Sequence, residues 1–484
     1  MVVFRATCVG VALLLGGFAF GCSSPPRVGG EGRTPSSAGR SVTTATAPTG
    51  SMSAVQPAAQ PIDLLQPMRV SGLARGEWTI SYPNTTDPEP IVFERILKHP
   101  RGGFIALGVE NDPLGKRFLL RLDDDGVPRW ATRLTVRLTW TDADLTVGED
   151  GTVAIIAHHL GRITVEDREV VEGDSSESIL SLLLFDDAGR FQRVLSRKRE
   201  ARARSTKVCW NGGFTTTRTD LFEPGESSAD GLVTVDAHGQ VLRKNTRSLM
   251  PLLLAPGRSL VTISLKAGDI AQDGRTLLRT NAKGSPYVAA ALNRSGAFIW
   301  AHAFSDPLVH EETALAQDER GHIFAAFRYG TSQGAADDSY AAVVYELDDN
   351  GREVRRFVYE PNAAFTKLFP AADGLTTLGW FRAVELTFQG KSIPFPPADL
   401  DHNIGPALFM RLATDGRMVA SRDLPNWKLT PVTQTGIMTI ADATPAGDGY
   451  LAVVGTVAAR TPFAGLSVAK DELTRSFAAR IRRP

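Results

Sequence analysis

The 484-residue sequence predicts an all-β fold, because two short patterns recur along it at intervals that suit small antiparallel sheets. The first is a strand that runs into a turn, as in YELDDNG at residues 345–351. Six copies end at Gly126, Gly189, Gly239, Gly296, Gly351 and Gly416. Apolar residues stand four and six positions before each glycine, a period of two that is typical of a strand with one buried face. Asp or Asn precedes the glycine by three in five of the six copies, which predicts a tight hairpin whose Asp or Asn tolerates a left-handed backbone.

The second pattern is a glycine followed by a β-rich run, for example GTVAIIA from Gly151. It occurs seven times, at Gly103, Gly151, Gly213, Gly257, Gly321, Gly374 and Gly449. The first six copies each precede one Asp-x-x-Gly strand, and the seventh precedes Phe477–Ile481. Successive turn glycines lie 50 to 65 residues apart, which suits four short antiparallel strands with loops. We therefore predict a single seven-bladed β-propeller of four-stranded antiparallel blades over residues 70–484.

The seventh blade lacks its outer strand, because the chain ends three residues after Ile481. In other copies that strand follows the turn glycine and carries Trp130 or Trp300 four residues after it. The alternating segment Trp78–Tyr82 is the N-terminal stretch that suits this role. We expect it to complete the last blade and close the ring, which removes two exposed sheet edges.

The first 22 residues are predicted to be a lipoprotein signal peptide. Arg5 precedes a short apolar stretch, residues 6–20, which is too short for a comfortable membrane span. The segment then ends in AFGC, which resembles the lipobox of bacterial lipoproteins and implies lipid attachment at Cys22. An ordinary cleaved export signal and an uncleaved anchor are the alternatives. Residues 23–66 are rich in Ser, Pro, Gly, Ala and Thr, and we expect them to form a disordered tether.

The paired patterns over residues 76–484 resemble the exported bacterial seven-bladed β-propeller repeat proteins, which are often lipoproteins. That resemblance implies a scaffold and specifies no activity or cofactor. No Asp follows Cys22 directly, so we expect an outer-membrane lipoprotein that faces the periplasm or the cell surface. Lys plus Arg equals Asp plus Glu at 53 each, so no net charge favours nucleic acid. We expect a monomer.

Four long segments, 160–179, 264–286, 385–407 and 455–475, connect the second and third strands of their blades and should lie on one face. Long loops on one face of a repeat fold usually mark the binding side, although unselected drift in loop length is the alternative. Candidate binding residues on this long-loop face are Trp140, His159, His310, Trp380 and His402. Packing between blades is the alternative role of the aromatic residues, and simple exposure that of the histidines.

No catalytic, metal or cofactor residue is predicted. The histidine spacing matches no metal motif, and residues 399–403 lack the glycine and glutamate of a calcium loop. GTSQG at residues 330–334 matches a nucleophile elbow in letters alone, because a strand and not a helix is predicted after it.

The function that the sequence favours is a non-catalytic, lipid-anchored envelope protein that binds a protein or glycan. The alternatives are a propeller enzyme, a lyase or hydrolase with a site in the central funnel, and an envelope-assembly factor. An enzyme of this kind requires ionisable side chains that converge from the innermost strands. The sequence shows no repeated ionisable position there.

Overall fold

The computed structural model describes residues 63–483 with gaps. Its longer gaps fall at residues 85–90, 111–115, 174–177, 200–207, 219–229, 280–286, 305–308, 331–339, 395–406, 420–438 and 459–473, the last interrupted by Leu466, and gaps of one to three residues fall elsewhere. The chain divides into two units, residues 1–61 and 62–484. The predicted signal peptide, Cys22 and nearly all of the tether lie outside the described residues. Across the described ranges there are strands and turns but no helix, and hence no helical membrane span.

The strands form seven main sheets, here called blades 1 to 7. The N-terminal strands are β1 (Met68–Arg69) and β2 (Trp78–Asn84). Blade 1 contains β3 (Ile91–Lys98), β4 (Phe104–Glu110), β5 (Lys116–Leu122) and β6 (Pro128–Val136). Blade 2 contains β7 (Thr139–Val147), β8 (Val153–Leu160), the hairpin β9 (Ile163–Val165) and β10 (Arg168–Val171), then β11 (Ser178–Phe185) and β12 (Phe191–Arg199). Blade 3 contains β13 (Val208–Trp210), β14 (Phe214–Arg218), β15 (Asp230–Val235) and β16 (Val241–Asn245).

The remaining blades follow the same plan. Blade 4 contains β17 (Leu249–Ala255), β18 (Ser259–Leu265), the hairpin β19 (Asp269–Gln272) and β20 (Arg275–Arg279), then β21 (Tyr287–Leu292) and β22 (Phe298–Ala303). Blade 5 contains β23 (Val309–Gln317), β24 (Ile323–Gly330), β25 (Tyr340–Leu347) and β26 (Glu353–Tyr359). Blade 6 contains β27 (Ala363–Ala371), β28 (Gly374–Phe381), the hairpin β29 (Glu385–Phe388) and β30 (Lys391–Pro394), then β31 (Ala407–Ala413) and β32 (Met418–Val419). Blade 7 contains β33 (Thr439–Pro445), β34 (Tyr450–Ala458) and β35 (Thr474–Arg482).

The innermost strands form a closed ring. Each of the strands β3, β7, β13, β17, β23, β27 and β33 contacts the next in this order, and β33 contacts β3. Within every blade the strands are antiparallel neighbours in the order of a meander. The predicted seven-bladed β-propeller is therefore confirmed.

The N-terminal strand closes the ring as predicted. Strand β2 pairs antiparallel with β35, with Trp78 opposite Arg480 and Ser81 opposite Phe477, and forms the outer strand of blade 7. The fold begins slightly earlier than the sequence indicates, because Leu64, at the end of the predicted tether, is only 2% exposed. Its carbonyl accepts a 2.6 Å hydrogen bond from the buried hydroxyl of Tyr82. Residues 63–66 thus belong to the folded part.

The second and third strands of blades 1 and 2 are buried on both faces, which corrects the prediction of one buried face. In β4, Phe104 and Ala106 pack towards blade 7, whereas Ile105 and Leu107 pack towards blade 2. Each of the six apolar clusters lies between two consecutive blades. A blade in a ring has a neighbour on each side, so alternating side chains meet two different blades.

The Asp-x-x-Gly turns form as predicted, but the aspartate has a different role. It is the glycine that adopts the left-handed backbone, with φ of 72° at Gly126 and 76° at Gly351. The Asp348 carboxylate accepts hydrogen bonds from the amides of Asn350 and Arg352 at 2.9 and 2.8 Å. Asp therefore recurs because its oxygen satisfies turn amides.

The long connections lie between the second and third strands of their blades, as predicted, and three of them contain hairpins. The hairpin β9–β10 pairs with β6 of blade 1, with Val136 opposite Ile163, and extends that blade to six strands. Ile163 and Val171 are buried against blade 1 and blade 2. This insertion covers the outer edge of a neighbouring blade, a role that its length alone did not predict.

Candidate functional site in the central channel

One position on the innermost strands is charged in four consecutive blades. The position is located from the pairing of the first and second strands. The first apolar residue of the second strand has a partner on the innermost strand, and the charged residue lies three positions before that partner. In register, Asp144 is opposite Ile156 of blade 2 and Asp442 is opposite Val454 of blade 7. The same position holds Lys367 in blade 6 and Arg95 in blade 1. From blade 6 through blade 2 the charges alternate, and we call these four residues the charged belt.

Asp442 connects three blades. Its side chain is 1% exposed, and its Oδ2 accepts a 3.0 Å hydrogen bond from the backbone amide of Ile96 in blade 1. Its Oδ1 lies 2.6 Å from the Nζ of Lys367 in blade 6. A buried carboxylate requires such partners, because desolvation without them would cost several kcal/mol.

Asp144 repeats this arrangement one blade further on. Its Oδ2 accepts a 3.1 Å hydrogen bond from the amide of Val208 in blade 3. Its Oδ1 lies 3.6 Å from the Nε of Arg95 in blade 1. In both cases the carboxylate binds the innermost strand of the next blade and a cation from the previous one. The belt contains two anions and two cations, so its charges balance.

The charged belt corrects the prediction that the innermost strands carry no repeated ionisable position. Acidic and basic residues alternate at one structural position, so no residue type repeats. A signal was nevertheless present, because the position lies seven residues before the glycine of the following turn in blades 2, 5, 6 and 7. In blade 5 the residue seven positions before the turn glycine is Ala314. In blade 3 the strand register gives Lys207 as the equivalent residue, which lies outside the described residues.

Trp140 and His159, two of the predicted binding residues, are brought together by the structure, since they are register partners on β7 and β8. The His159 side chain is fully buried, and its Nε2 lies 2.9 Å from the Ser181 hydroxyl. Burial lowers the pKa of His159 to about 4, with a smaller contribution from His158, against a backbone hydrogen bond at Gly161. His159 is therefore a neutral imidazole enclosed between strands.

The other predicted residues are spread over different blades. His310 lies near the start of β23 in blade 5, and Trp380 lies near the end of β28 in blade 6. Both strand ends point to the face of the long connections. His402 and Cys22 lie outside the described residues. No group of three or more His, Cys, Asp or Glu side chains that could hold a metal ion occurs in the described ranges.

The sheet order and the contacts between innermost strands define a seven-bladed propeller. No family model matches the chain, and no curated protein matches its sequence. Similar solved structures include the WD40 domain of Neurospora crassa Pan2, with 8% identity over 81% of this chain and 90% of that one and a TM-score of 0.36. A variant of Synechocystis apocarotenoid oxygenase is also similar, with 9% identity over 81% of this chain and 71% of that one and a TM-score of 0.28.

Proposed function

We propose that this propeller is a non-catalytic scaffold of the cell envelope, anchored through a lipid at Cys22, that binds a protein or glycan partner with its long-loop face. The observation that carries this proposal is the charged belt. Acidic groups on the innermost strands are the natural candidates for acid–base catalysis. Here they accept hydrogen bonds from backbone amides and form ion pairs that join one blade to the next. Their geometry supports a structural role.

The long-loop face supports binding because two of its hairpins, β19–β20 and β29–β30, form sheets of their own. The hairpin β9–β10, in contrast, is accounted for by the edge of blade 1 that it covers. Hairpins held at the ends of the blades would give a preorganised surface, which lowers the entropic cost of binding. A protein or glycan can be recognised by such a surface without catalysis.

The anchor is tested by comparing the wild-type chain with Cys22→Ala. We expect the wild type to fractionate with the outer membrane and to incorporate a radiolabelled fatty acid. The Cys22→Ala chain should lose the label and leave the membrane fraction. If the wild type carries no label and Cys22→Ala fractionates like the wild type, lipid attachment at Cys22 is contradicted.

Binding is tested by placing a photo-crosslinking residue at Thr276 or Thr387, on the two hairpins, and at Asn350 on the opposite face as the matched control. We expect a defined crosslinked partner from the hairpin positions and none from position 350. Crosslinks from position 350 alone would assign binding to the other face. Turnover of a small substrate that is lost in Asp144→Ala, with no crosslinked partner, would favour the enzyme alternative.

A further inference from the structure

On the face of the Asp-x-x-Gly turns, here called the short-turn face, tryptophans join consecutive blades. Trp78 of blade 7, Trp130 of blade 1 and Trp300 of blade 4 each lie on a turn glycine of the next blade. At Gly126, Gly189 and Gly351 a Cβ atom would fall 2.4 to 2.5 Å from the indole. Each indole Nε1 also donates to the carbonyl two residues before that glycine, at 2.9 to 3.0 Å. The three junctions therefore share one aromatic slot, and the chain fills it itself.

The junction between blades 5 and 6 departs from this arrangement. Arg355 occupies the tryptophan position, because it pairs with Glu346 as Trp130 pairs with Arg121 and Trp300 with Ala291. The Arg355 side chain folds back on its own blade. It donates to Glu346 and lies 5.3 Å from the centre of the Phe357 ring. Glu346 is 4% exposed, and its other oxygen lies 2.9 Å from His322 Nδ1.

A cleft of about 280 Å³ lies at this junction. Apolar residues of both blades line it, namely Phe324, Val354 and Phe357 of blade 5 and Leu375, Leu412 and Ala413 of blade 6. The volume is near the lower limit of small-molecule sites, so one ring system with a short substituent suits it better than a large cofactor.

Arg320, for which the described residues supply no acidic partner, borders the cleft. Arg320 stands where blade 1 has Arg101, one residue before the turn glycine, and Arg101 donates to Asp187 of blade 2 at 2.7 Å. Thr414 takes the place of Asp187 in blade 6, since both lie two residues before the turn glycine. Arg320 is exposed, and its guanidinium has no partner among the described residues. Oδ1 of the neighbouring Asp318 accepts hydrogen bonds from the backbone amides of Arg320 and His322.

We propose that this cleft binds an aromatic carboxylate, with the ring in the apolar slot and the carboxylate on Arg320. An aromatic ring is the group that the same slot holds at three other junctions. A carboxylate is the natural partner of a guanidinium that lacks one. The ligand is a free small acid or the C-terminal aromatic residue of a peptide. This site lies on the face opposite the long loops and is independent of the function proposed above.

The test is isothermal titration calorimetry of the full chain with N-acetyl-L-tryptophan and with its amide. We expect saturable binding of the acid. The amide should bind at least roughly tenfold more weakly than the acid, because it lacks the charged contact. Arg320→Ala should weaken binding of the acid by a similar factor, whereas the matched variant Arg101→Ala in blade 1 should bind the acid like the wild type. A peptide that ends in tryptophan identifies the source, since tighter binding than N-acetyl-L-tryptophan favours a polypeptide C-terminus and equal binding favours a free acid.

A second variant fills the slot from within. Arg355→Trp combined with Glu346→Ala reproduces the Ala291–Trp300 pair of blade 4 and leaves no unpaired buried carboxylate. It should keep its circular dichroism spectrum and lose binding of the acid. The proposal is overturned by absence of saturable binding to the wild type, by equal binding of acid and amide, or by full binding to the folded double variant.

Discussion

The two sides of the ring are held together by different chemistry. From blade 6 through blade 2 the innermost strands carry alternating charges, whereas blade 5 has the buried Ala314 at the same position. The charged side is also where the first and last strands of the propeller meet. There Asp442 accepts a hydrogen bond from the backbone amide of Ile96, a residue 346 positions away in sequence. A propeller closes by noncovalent pairing of its ends. Among the described residues, directional polar contacts join the innermost strands around this closure, whereas Ala314 of blade 5 packs in an apolar cluster.

The largest effect is expected from breaking the closure itself. Deletion of residues 76–84 removes β2 and with it the buried side chains of Trp78, Ile80 and Tyr82. Each contributes about 1.5–3 kcal/mol through burial, and the edge of β35 becomes exposed. We expect loss of most of the stability and a sharply lower melting temperature by circular dichroism. Deletion of residues 50–58 in the predicted tether is the control, and a melt as high as the control's would contradict closure by β2.

A single substitution can replace a residue of the charged belt with the apolar residue of blade 5. Asp442→Ala gives blade 7 the residue that blade 5 has, but it leaves the Ile96 amide and Lys367 without their buried partner. We expect a loss of about 2–3 kcal/mol in the free energy of unfolding, measured with urea. In a double-mutant cycle, Lys367→Ala should cost little once Asp442 is replaced. Strictly additive effects would show that the 2.6 Å contact contributes nothing.

The number of blades and the closing strand were predictable because they depend on local periodicity and turn chemistry. Gly126 and Gly351 mark turns because each turn requires a left-handed backbone at that position, and this requirement recurs in the repeats. The charged belt is harder to predict, because Asp442 and its hydrogen-bond partner Ile96 become neighbours only when the ring closes. The hairpin β9–β10 was predicted as a long connection, but its pairing with β6 depends on the edge of another blade. The cleft lies beside Arg355, which stands at a tryptophan position, and that substitution has meaning only once the slot is known.

The charged side should also respond to acid. On the short-turn face of the charged side, His99 Nδ1 accepts from Arg121, and its Nε2 lies 2.9 Å from Asp187. Burial, together with the positive charge of Arg121, lowers the pKa of His99 below its usual 6.5, and Asp187 only partly opposes this. The folded state therefore binds this proton less readily than the unfolded chain. Its contribution to stability is complete above pH 6.5 and is lost as the pH falls towards the folded pKa.

This pH dependence is measured as the free energy of unfolding between pH 5 and about 7. We expect it to rise with pH in the wild type and to rise less in His99→Gln, which cannot titrate. Equal slopes in the wild type and His99→Gln would contradict the assignment to His99.

The smallest effect separates the two ion pairs of the belt. Arg95 Nε lies 3.6 Å from Asp144, and its side chain is 28% exposed, so solvent screens the pair. Asp144 also keeps its hydrogen bond from Val208 when Arg95 is removed. We expect Arg95→Ala to cost less than about 1 kcal/mol and to be sensitive to salt, whereas Lys367→Ala, at 2.6 Å from a fully buried carboxylate, should cost more. Urea denaturation at low and high salt distinguishes them, and equal costs would mean that the belt acts as one cooperative unit in which the individual distances do not decide.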